Sequence, residues 1–487
     1  MCGFVGIVQS EQCAAELLDG LVAIQHRGQD AAGALTLTDD GEFRLHKNEG
    51  LVRDVFAAPD DLSRLEGKTG IGHVRYPTVG SGGVTDAQPF QTLAPLPIAM
   101  VHNGNVTNVR ELAEWLETEH GRTLESRCDV EALMHVYAVE LETRLDGGEF
   151  GLDAHHDAVA ATLERVKGAY SVVGLVAGHG LFAFRDSHGI KPIVTAWREV
   201  NGQRSWCVAS ESVVPDLLGF PEKQDVVPGE SLFYGLDGSR DSRRLTETNH
   251  APCVFEHVYF ARPDSFLDEV SVYKTRKRMG ESLARQVERL GWDVDVVIPV
   301  PESSCTAALA LAQALDRPYR EGLVKNRYIG RTFIMPGQVK RKRSVRHKLN
   351  AIDLEFEAKN VLLVDDSIVR GTTSGQIVAM AREAGAARVY FASCSPPLRH
   401  PCVYGIDMST RSELVATDRD TQGVADVIGA DGLVYQGLDD LVDSVRAGNP
   451  ELQDTCHACF SGCYPTGDVD AAMLGEIADE RLAHRQA

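Results

Sequence analysis

The segment Val361-Leu362-Leu363-Val364-Asp365-Asp366-Ser367-Ile368-Val369-Arg370-Gly371-Thr372-Thr373-Ser374 constrains the chain more than any other. An apolar run of strand type ends in two carboxylates. A turn of Gly and hydroxyl residues then opens a helix predicted over about 373–384. The free backbone N–H groups at such a helix start form an anion site, and the Thr372, Thr373 and Ser374 hydroxyls add donors. Paired acids beside it suit ribose hydroxyls or a Mg²⁺ held by few protein ligands. The turn is not a Walker A loop, because GxxxxGK[ST] is missing. Apolar runs at 294–300 and 388–392 flank it, with a helix predicted over about 303–315. Strand and helix alternate, which predicts a parallel sheet covered by helices.

The first half has a different texture, with short β-like runs separated by glycine at 3–8, 34–37, 170–176 and 180–184. Helix-like stretches at 11–25, 109–120 and 157–166 lie between them, which predicts layered sheets flanked by helices. The polar segment 235–250 reads as the edge of a linker, and the tail from about Gly467 is acidic and Ala-rich. A length of 487 residues allows two to four domains at roughly 100–200 residues each.

Composition excludes several classes. The chain is 43% apolar and 24% charged, enough to build large cores and too much for disorder. Its net charge of −21 argues against a general nucleic-acid binder and against anionic membrane surfaces. No apolar run reaches transmembrane length, and the start has no signal-peptide pattern. Eleven cysteines in a chain of this size are too few for a disulfide scaffold, so a reducing, cytoplasmic setting is expected.

Cys2 follows the initiator directly, and removal of Met1 is expected to leave it at the N-terminus. An N-terminal cysteine has its own base, because the α-amino group titrates near ~7.7–8.0. Cys2–Ile7, His26–Gly33, Gly72–Thr78, His102–Asn105 and Asp129 then follow in order. This series resembles the class II glutamine amidotransferase domain, an N-terminal-nucleophile hydrolase, over about residues 2–235. The resemblance implies that Cys2 attacks the side-chain amide of glutamine. It implies an oxyanion hole from the Asn103 amide and the Gly104 N–H. Arg75 would hold the α-carboxylate of glutamine, Asp129 its ammonium, and Arg27 would order the nucleophile region. His26, His73 and His102 are read as structural, since the free amine fills the role of base.

The segment from Asp365 resembles the phosphoribosyl pyrophosphate site of type I phosphoribosyltransferases. By that resemblance Gly371, Thr372, Thr373 and Ser374 cradle the 5-phosphate, with Ser367 in the same turn. Asp365 and Asp366 face the ribose hydroxyls and Mg²⁺, and the 299–304 turn resembles the pyrophosphate loop, with Ser303 near the metal. The basic stretch 325–348, including Lys325 and Arg331, is expected to close over the pyrophosphate rather than to bind nucleic acid.

Both resemblances in one chain match the glutamine phosphoribosylpyrophosphate amidotransferase family over about residues 2–467. The fold class expected is α+β and α/β. A four-layer αββα N-terminal-nucleophile hydrolase domain (2–235) and a linker (236–256) precede a parallel-sheet α/β phosphoribosyltransferase domain (257–467) and an acidic tail (468–487). One branch of the family binds a [4Fe–4S] cluster, and Cys253, Cys402, Cys456 and Cys459 fall on its four motif positions. Cys394 and Cys463 are the rivals by position, and zinc is the rival metal. The family implies glutamine and phosphoribosyl pyrophosphate as substrates, purine nucleotides as feedback inhibitors, and a homodimer or homotetramer. A hexosamine- or asparagine-forming synthetase is disfavoured by the 365–374 motif. A non-catalytic ligand-sensing regulator on the phosphoribosyltransferase fold is the alternative, and it needs no N-terminal nucleophile.

Overall fold

The structure, a computed structural model, describes residues 2–76, 83–145, 147–200, 202–326, 349–406 and 410–486, with side chains up to 479. The first half contributes thirteen strands, most of them in short hairpins: β1 (Gly3–Val8), β2 (Ala31–Leu37), β3 (Phe43–Glu49), β4 (Thr69–Arg75), β5 (Phe90–Thr92), β6 (Ile98–Val106), β7 (Gly168–Val176), β8 (Gly180–Arg185), β9 (Val194–Val200), β10 (Gln203–Ala209), β11 (Glu222–Asp225), β12 (Glu230–Gly235) and β13 (Arg240–Arg244). They form two antiparallel sheets, in the orders β11-β9-β10-β1-β4-β2-β3 and β13-β12-β8-β7-β6-β5.

The period of two along β1 explains the layering. Phe4 and Val8 enter the core between the sheets, with Ile71, Val101, Val173 and Leu181. Val5 and Ile7 face the other way, against Leu17 and Leu21 of the helix Ala14–Ala23. The second sheet is covered on its outer face by the helices Val109–His120, Asp129–Glu142 and Leu152–Arg165. The result is a four-layer αββα sandwich, as expected. Strands buried on both faces read as continuous apolar runs, which is why β1 and β7 were visible in the sequence.

One expectation needs correction. The segment 235–250 is not simply linker, because β13 (Arg240–Arg244) pairs along β12 as the edge strand of the second sheet. Its inward side chains are polar, and charged residues suit an exposed edge.

The second half adds the short pairs β14 (Phe266–Leu267) with β15 (Val270–Ser271), and later β17 (Leu323–Lys325) with β18 (Leu349–Ala351). Its main sheet comprises β16 (Val296–Pro299), β19 (Asn360–Asp365), β20 (Arg388–Ser393) and β21 (Gly432–Tyr435), in that order and all parallel. Val361 and Leu363 pack on one face of β19, and Leu362 and Val364 on the other. The tail is helical over Ala471–Gln486. Among the described residues no helix is long and apolar enough to cross a membrane.

The halves interlock. The β14–β15 turn delivers Asp268 to the fully buried Arg185, in a bidentate pair at 2.6 and 3.0 Å. A further apolar core joins Ala169 and Ile190 of the first half to Val258, Leu398, Tyr404 and Phe460 of the second.

Candidate functional site

Cys2 enters β1 with only 8% of its surface exposed. Its N–H donates to Asn103 Oδ1 at 3.3 Å, and its thiol lies 3.6 Å from the Tyr76 carbonyl. Asn103 sits on β6. Its Oδ1 accepts from Cys2, while its Nδ2 is buried with no acceptor among the described residues. Leaving such a donor unpaired costs about 1–3 kcal/mol, and its amide is the one that meets the Cys2 backbone. The next residue, Gly104, has φ +154°, and a Cβ there would come within 2.0 Å of the Ala169 carbonyl. Only glycine lets β6 lie this close to β7 at the site.

Arg27 is buried behind Cys2. Its Nε donates to the Cys2 carbonyl at 2.9 Å, and its Nη atoms donate to Glu211 at 2.6 Å and to Glu256 at 2.9 and 3.2 Å. Burial opposes the charge on Glu211, but His26 and Arg27 outweigh it and hold the carboxyl below its ordinary range. His26 Nε2 lies 2.8 Å from the same carboxylate. Sequence reasoning missed Glu211 and Glu256, which lie 184 and 229 residues from Arg27.

Arg75 ends β4, is buried, and pairs with Asp86 at 3.6 Å, another residue that was missed. Asp129 opens the helix Asp129–Glu142, where the helix dipole favours a carboxylate. It accepts from the Val106 N–H at 2.8 Å and from His102 Nε2 at 3.0 Å. Burial pushes Asp129 up, yet these partners bring it below the usual carboxylate range. Gln88 Nε2 lies 3.0 Å from His102 Nδ1, so the imidazole donates at Nε2 and accepts at Nδ1. His73 is held well down by burial and by its neighbours His102 and Arg75, which keeps it neutral. All three histidines therefore have structural partners. Pro77 and Thr78 lie outside the described residues.

The second centre forms where the parallel strands end. Asp365 closes β19, and its Oδ1 accepts the Asp366 N–H at 2.9 Å. Asp366 accepts from the hydroxyls of Ser303 and Ser367, so the 299–304 turn meets the acid pair. Burial and the adjacent Asp366 push Asp365 well above its ordinary value, and burial raises Asp366 too. Burial of two adjacent acids explains both directions. The helix Thr372–Glu383 starts beside them, with Gly371 at φ +73° as its cap, Ser374 buried, and Thr372 and Thr373 exposed.

Arg276 was missed. It is buried, donates to the carbonyls of His257, Tyr259 and Ala261, and lies near enough to Asp366 to act on it. Lys325 is exposed and reaches Glu302 at 3.8 Å. Arg331 and the rest of 327–348 lie outside the described residues.

Cys253, Cys402, Cys456 and Cys459 all fall in the apolar core that joins the halves. Cys253 and Cys456 face each other across an isolated parallel bridge, and the thiols of Cys253, Cys402 and Cys456 all act electrically on Cys459. Burial pushes Cys253 up to about 11, and Cys456 and Cys459 well above the usual thiol range. The Tyr404 N–H donates to Cys402 Sγ at 3.4 Å. Cys394 lies instead at the end of β20, near Asp366, and Cys463 is exposed. Among the described residues no three His, Cys, Asp or Glu side chains stand at single-ion spacing. Four buried thiols in one core are a donor set that suits a four-iron cluster or a single zinc alike.

A family model described as a glutamine amidotransferase domain matches residues 81–214. The chain is 50% identical to the amidophosphoribosyltransferase of Escherichia coli, over 97% of this chain and 94% of that one. It is 51% identical to the Pseudomonas aeruginosa enzyme of the same name, over 99% and 96%. A solved structure titled as glutamine phosphoribosylpyrophosphate amidotransferase from B. subtilis, complexed with ADP and GMP, aligns with TM-score 0.84 at 38% identity, over 96% of this chain and 98% of that one.

Proposed function

The chain belongs to the amidophosphoribosyltransferase family, and we propose that it joins glutamine hydrolysis at Cys2 to amine transfer at the Asp365–Ser374 turn. With Met1 removed, the α-amino group of Cys2 takes the thiol proton and the sulfur attacks the side-chain carbonyl of glutamine. The developing oxyanion is met by Asn103 Nδ2 and the Gly104 N–H. Arg75 and Asp129 hold the α-carboxylate and ammonium. Ammonia leaves, and water releases glutamate from the thioester. At the second centre ammonia displaces pyrophosphate from C1 of phosphoribosyl pyrophosphate, giving 5-phosphoribosylamine. Ser367, Gly371, Thr372, Thr373 and Ser374 hold the 5-phosphate, and Lys325 and Arg331 face the pyrophosphate.

The observation that carries this reading is the contact of the Cys2 backbone with Asn103, whose other amide atom is a buried donor with no acceptor among the described residues. Ser303, Asp365 and Asp366 would hold Mg²⁺, which supplies charge neutralisation for the departing pyrophosphate. The Ser303 hydroxyl meets Asp366, whose N–H is bonded to Asp365, so the three donors lie together. Cys253, Cys402, Cys456 and Cys459 would hold a [4Fe–4S] cluster, which would supply a tie between the end of the linker and the C-terminal segment rather than substrate chemistry. The B. subtilis relative is complexed with ADP and GMP, which supports purine nucleotides as ligands and feedback inhibitors of this chain; a homodimer or homotetramer is its proposed assembly.

Pyrophosphate release tests the reading. It should require glutamine and phosphoribosyl pyrophosphate, and Cys2→Ala should keep only the activity driven by added ammonia. Glutamine-dependent release by that variant would refute the first step. A ligand-sensing regulator without catalysis would release no pyrophosphate under either condition.

A further inference from the structure

Two stretches of the second half reach the centre around Cys2. With Met1 removed, Cys2 has one covalent neighbour, and a chain end stays ordered only where other groups tie it down. Its carbonyl is tied by Arg27 Nε at 2.9 Å. That guanidinium is aimed in turn by Glu256, whose two oxygens accept from Nη2 at 2.9 Å and from Nη1 at 3.2 Å. Such a forked pair fixes the plane of the guanidinium as well as its distance. Glu256 opens the turn Glu256–Phe260, and Arg276 pins that turn through the carbonyls of His257, Tyr259 and Ala261. The second stretch is 403–405. The Val403 carbonyl accepts from Nδ2 of Asn105, which follows Gly104 on β6, at 2.9 Å. Gly405 has φ +90°, and a Cβ there would lie 2.6 Å from the Gly104 carbonyl oxygen and 2.8 Å from its carbon. The Gly104 backbone is thus held between Ala169 of β7 on one side and the 403–405 turn on another. Val403, Tyr404 and Ile406 anchor that turn in the core that joins the halves.

Resting on the glutamine-hydrolysis reading above, we infer that Glu256 and Gly405 are positioning residues for that step. The second half of the chain aims the nucleophile through Glu256 and Arg27, and it holds the Gly104 peptide of the oxyanion hole through the close approach at Gly405. The α-carboxylate and ammonium of glutamine belong to Arg75 and Asp129 in the same reading. Loss of either contact therefore misplaces reacting atoms without weakening substrate binding, and a displacement of about 1 Å costs up to about 10²-fold in rate.

The test uses the full chain with Glu256→Gln and Gly405→Ala, each beside the parent. Gln keeps the length of Glu256 and one oxygen for Arg27, but it removes the charge and the fork. Glutamate formation is measured across a glutamine series, and ammonia-driven pyrophosphate release checks the rest of the molecule. Each variant should lose about 10–10²-fold in kcat for glutamine, keep its KM near the parent value, and release pyrophosphate from ammonia at the parent rate. Parent kcat in a variant overturns the role given to that residue. So does a raised KM at parent kcat, which places the effect in glutamine binding. If one variant also falls in ammonia-driven release, the other decides. If both fall, the two contacts are ties of the whole fold and the inference is overturned. A parent that forms no glutamate, or a Cys2→Ala variant that still does, refutes the glutamine-hydrolysis reading itself, which that control reports separately.

Discussion

Replacing Glu211 by Gln keeps its shape and removes its charge, which isolates the electrostatics behind the nucleophile. Glu211 Oε1 accepts from Arg27 at 2.6 Å and lies 2.8 Å from His26, while Oε2 accepts from Ser265 at 2.6 Å and from the Arg262 N–H at 3.0 Å. A Gln amide presents N–H groups to one pair of these donors and leaves Arg27 with Glu256 alone. Breaking a buried ion pair costs about 3–5 kcal/mol, and the surviving Glu256 places this case near about 3. At about 2–4 °C per kcal/mol for a unit of this size, Tm should fall by about 6–12 °C. The pH dependence follows from the direction of the shift. Glu211 is held below its ordinary range in the folded chain, so its contribution is present above the unfolded value, about 4.3, and is lost as pH falls through the folded one. The gap in Tm between parent and variant should therefore be flat from about pH 8 to 5.5 and narrow below about pH 4. Differential scanning fluorimetry across that range measures it. A fall under about 2 °C at pH 7, or a gap that widens in acid, would refute the reasoning.

Other outcomes follow from the same geometry. Asn103→Ala should cut glutamine hydrolysis about 10²–10³-fold in kcat and leave ammonia-driven pyrophosphate release intact, and equal losses in both assays would contradict the oxyanion role. Asp365 is raised by burial and by Asp366, so its proton stabilises the fold at low pH and that stability is lost as pH rises through the folded value. Asp365→Asn should accordingly raise Tm at pH 7 in EDTA and abolish the Mg²⁺-induced rise, and a lower Tm in EDTA would count against it. Cys456→Ala should lose the iron and the visible absorbance, whereas Cys394→Ala and Cys463→Ala should retain both.

The parts of the fold legible in the sequence are those whose cause is local. β1 and β19 are buried on both faces and read as unbroken apolar runs. The helix Val109–His120 ends on Gly121 in the left-handed region, the residue that best stops a helix there. β13, Arg-Asp-Ser-Arg-Arg, was read as linker because an exposed edge strand needs no apolar face. In the sites, the motif residues were visible because each motif is short. Glu211, Glu256 and Arg276 were not, because what matters about them is a partner far along the chain. Nothing near Glu256 in sequence indicates that it will meet Arg27, and only the packing of one half on the other brings them together.

The bidentate grip of Arg185 on Asp268 limits how this chain can be rearranged. A fragment ending near residue 250 would keep Arg185 and Arg27 but lose Asp268 and Glu256, removing the bidentate acid of Arg185 and leaving Arg27 with Glu211 alone in a dry interior. The sandwich is therefore not a portable module. Grafted onto another transferase, it would need matching acids supplied at both points, which favours inheritance of the two halves as one polypeptide.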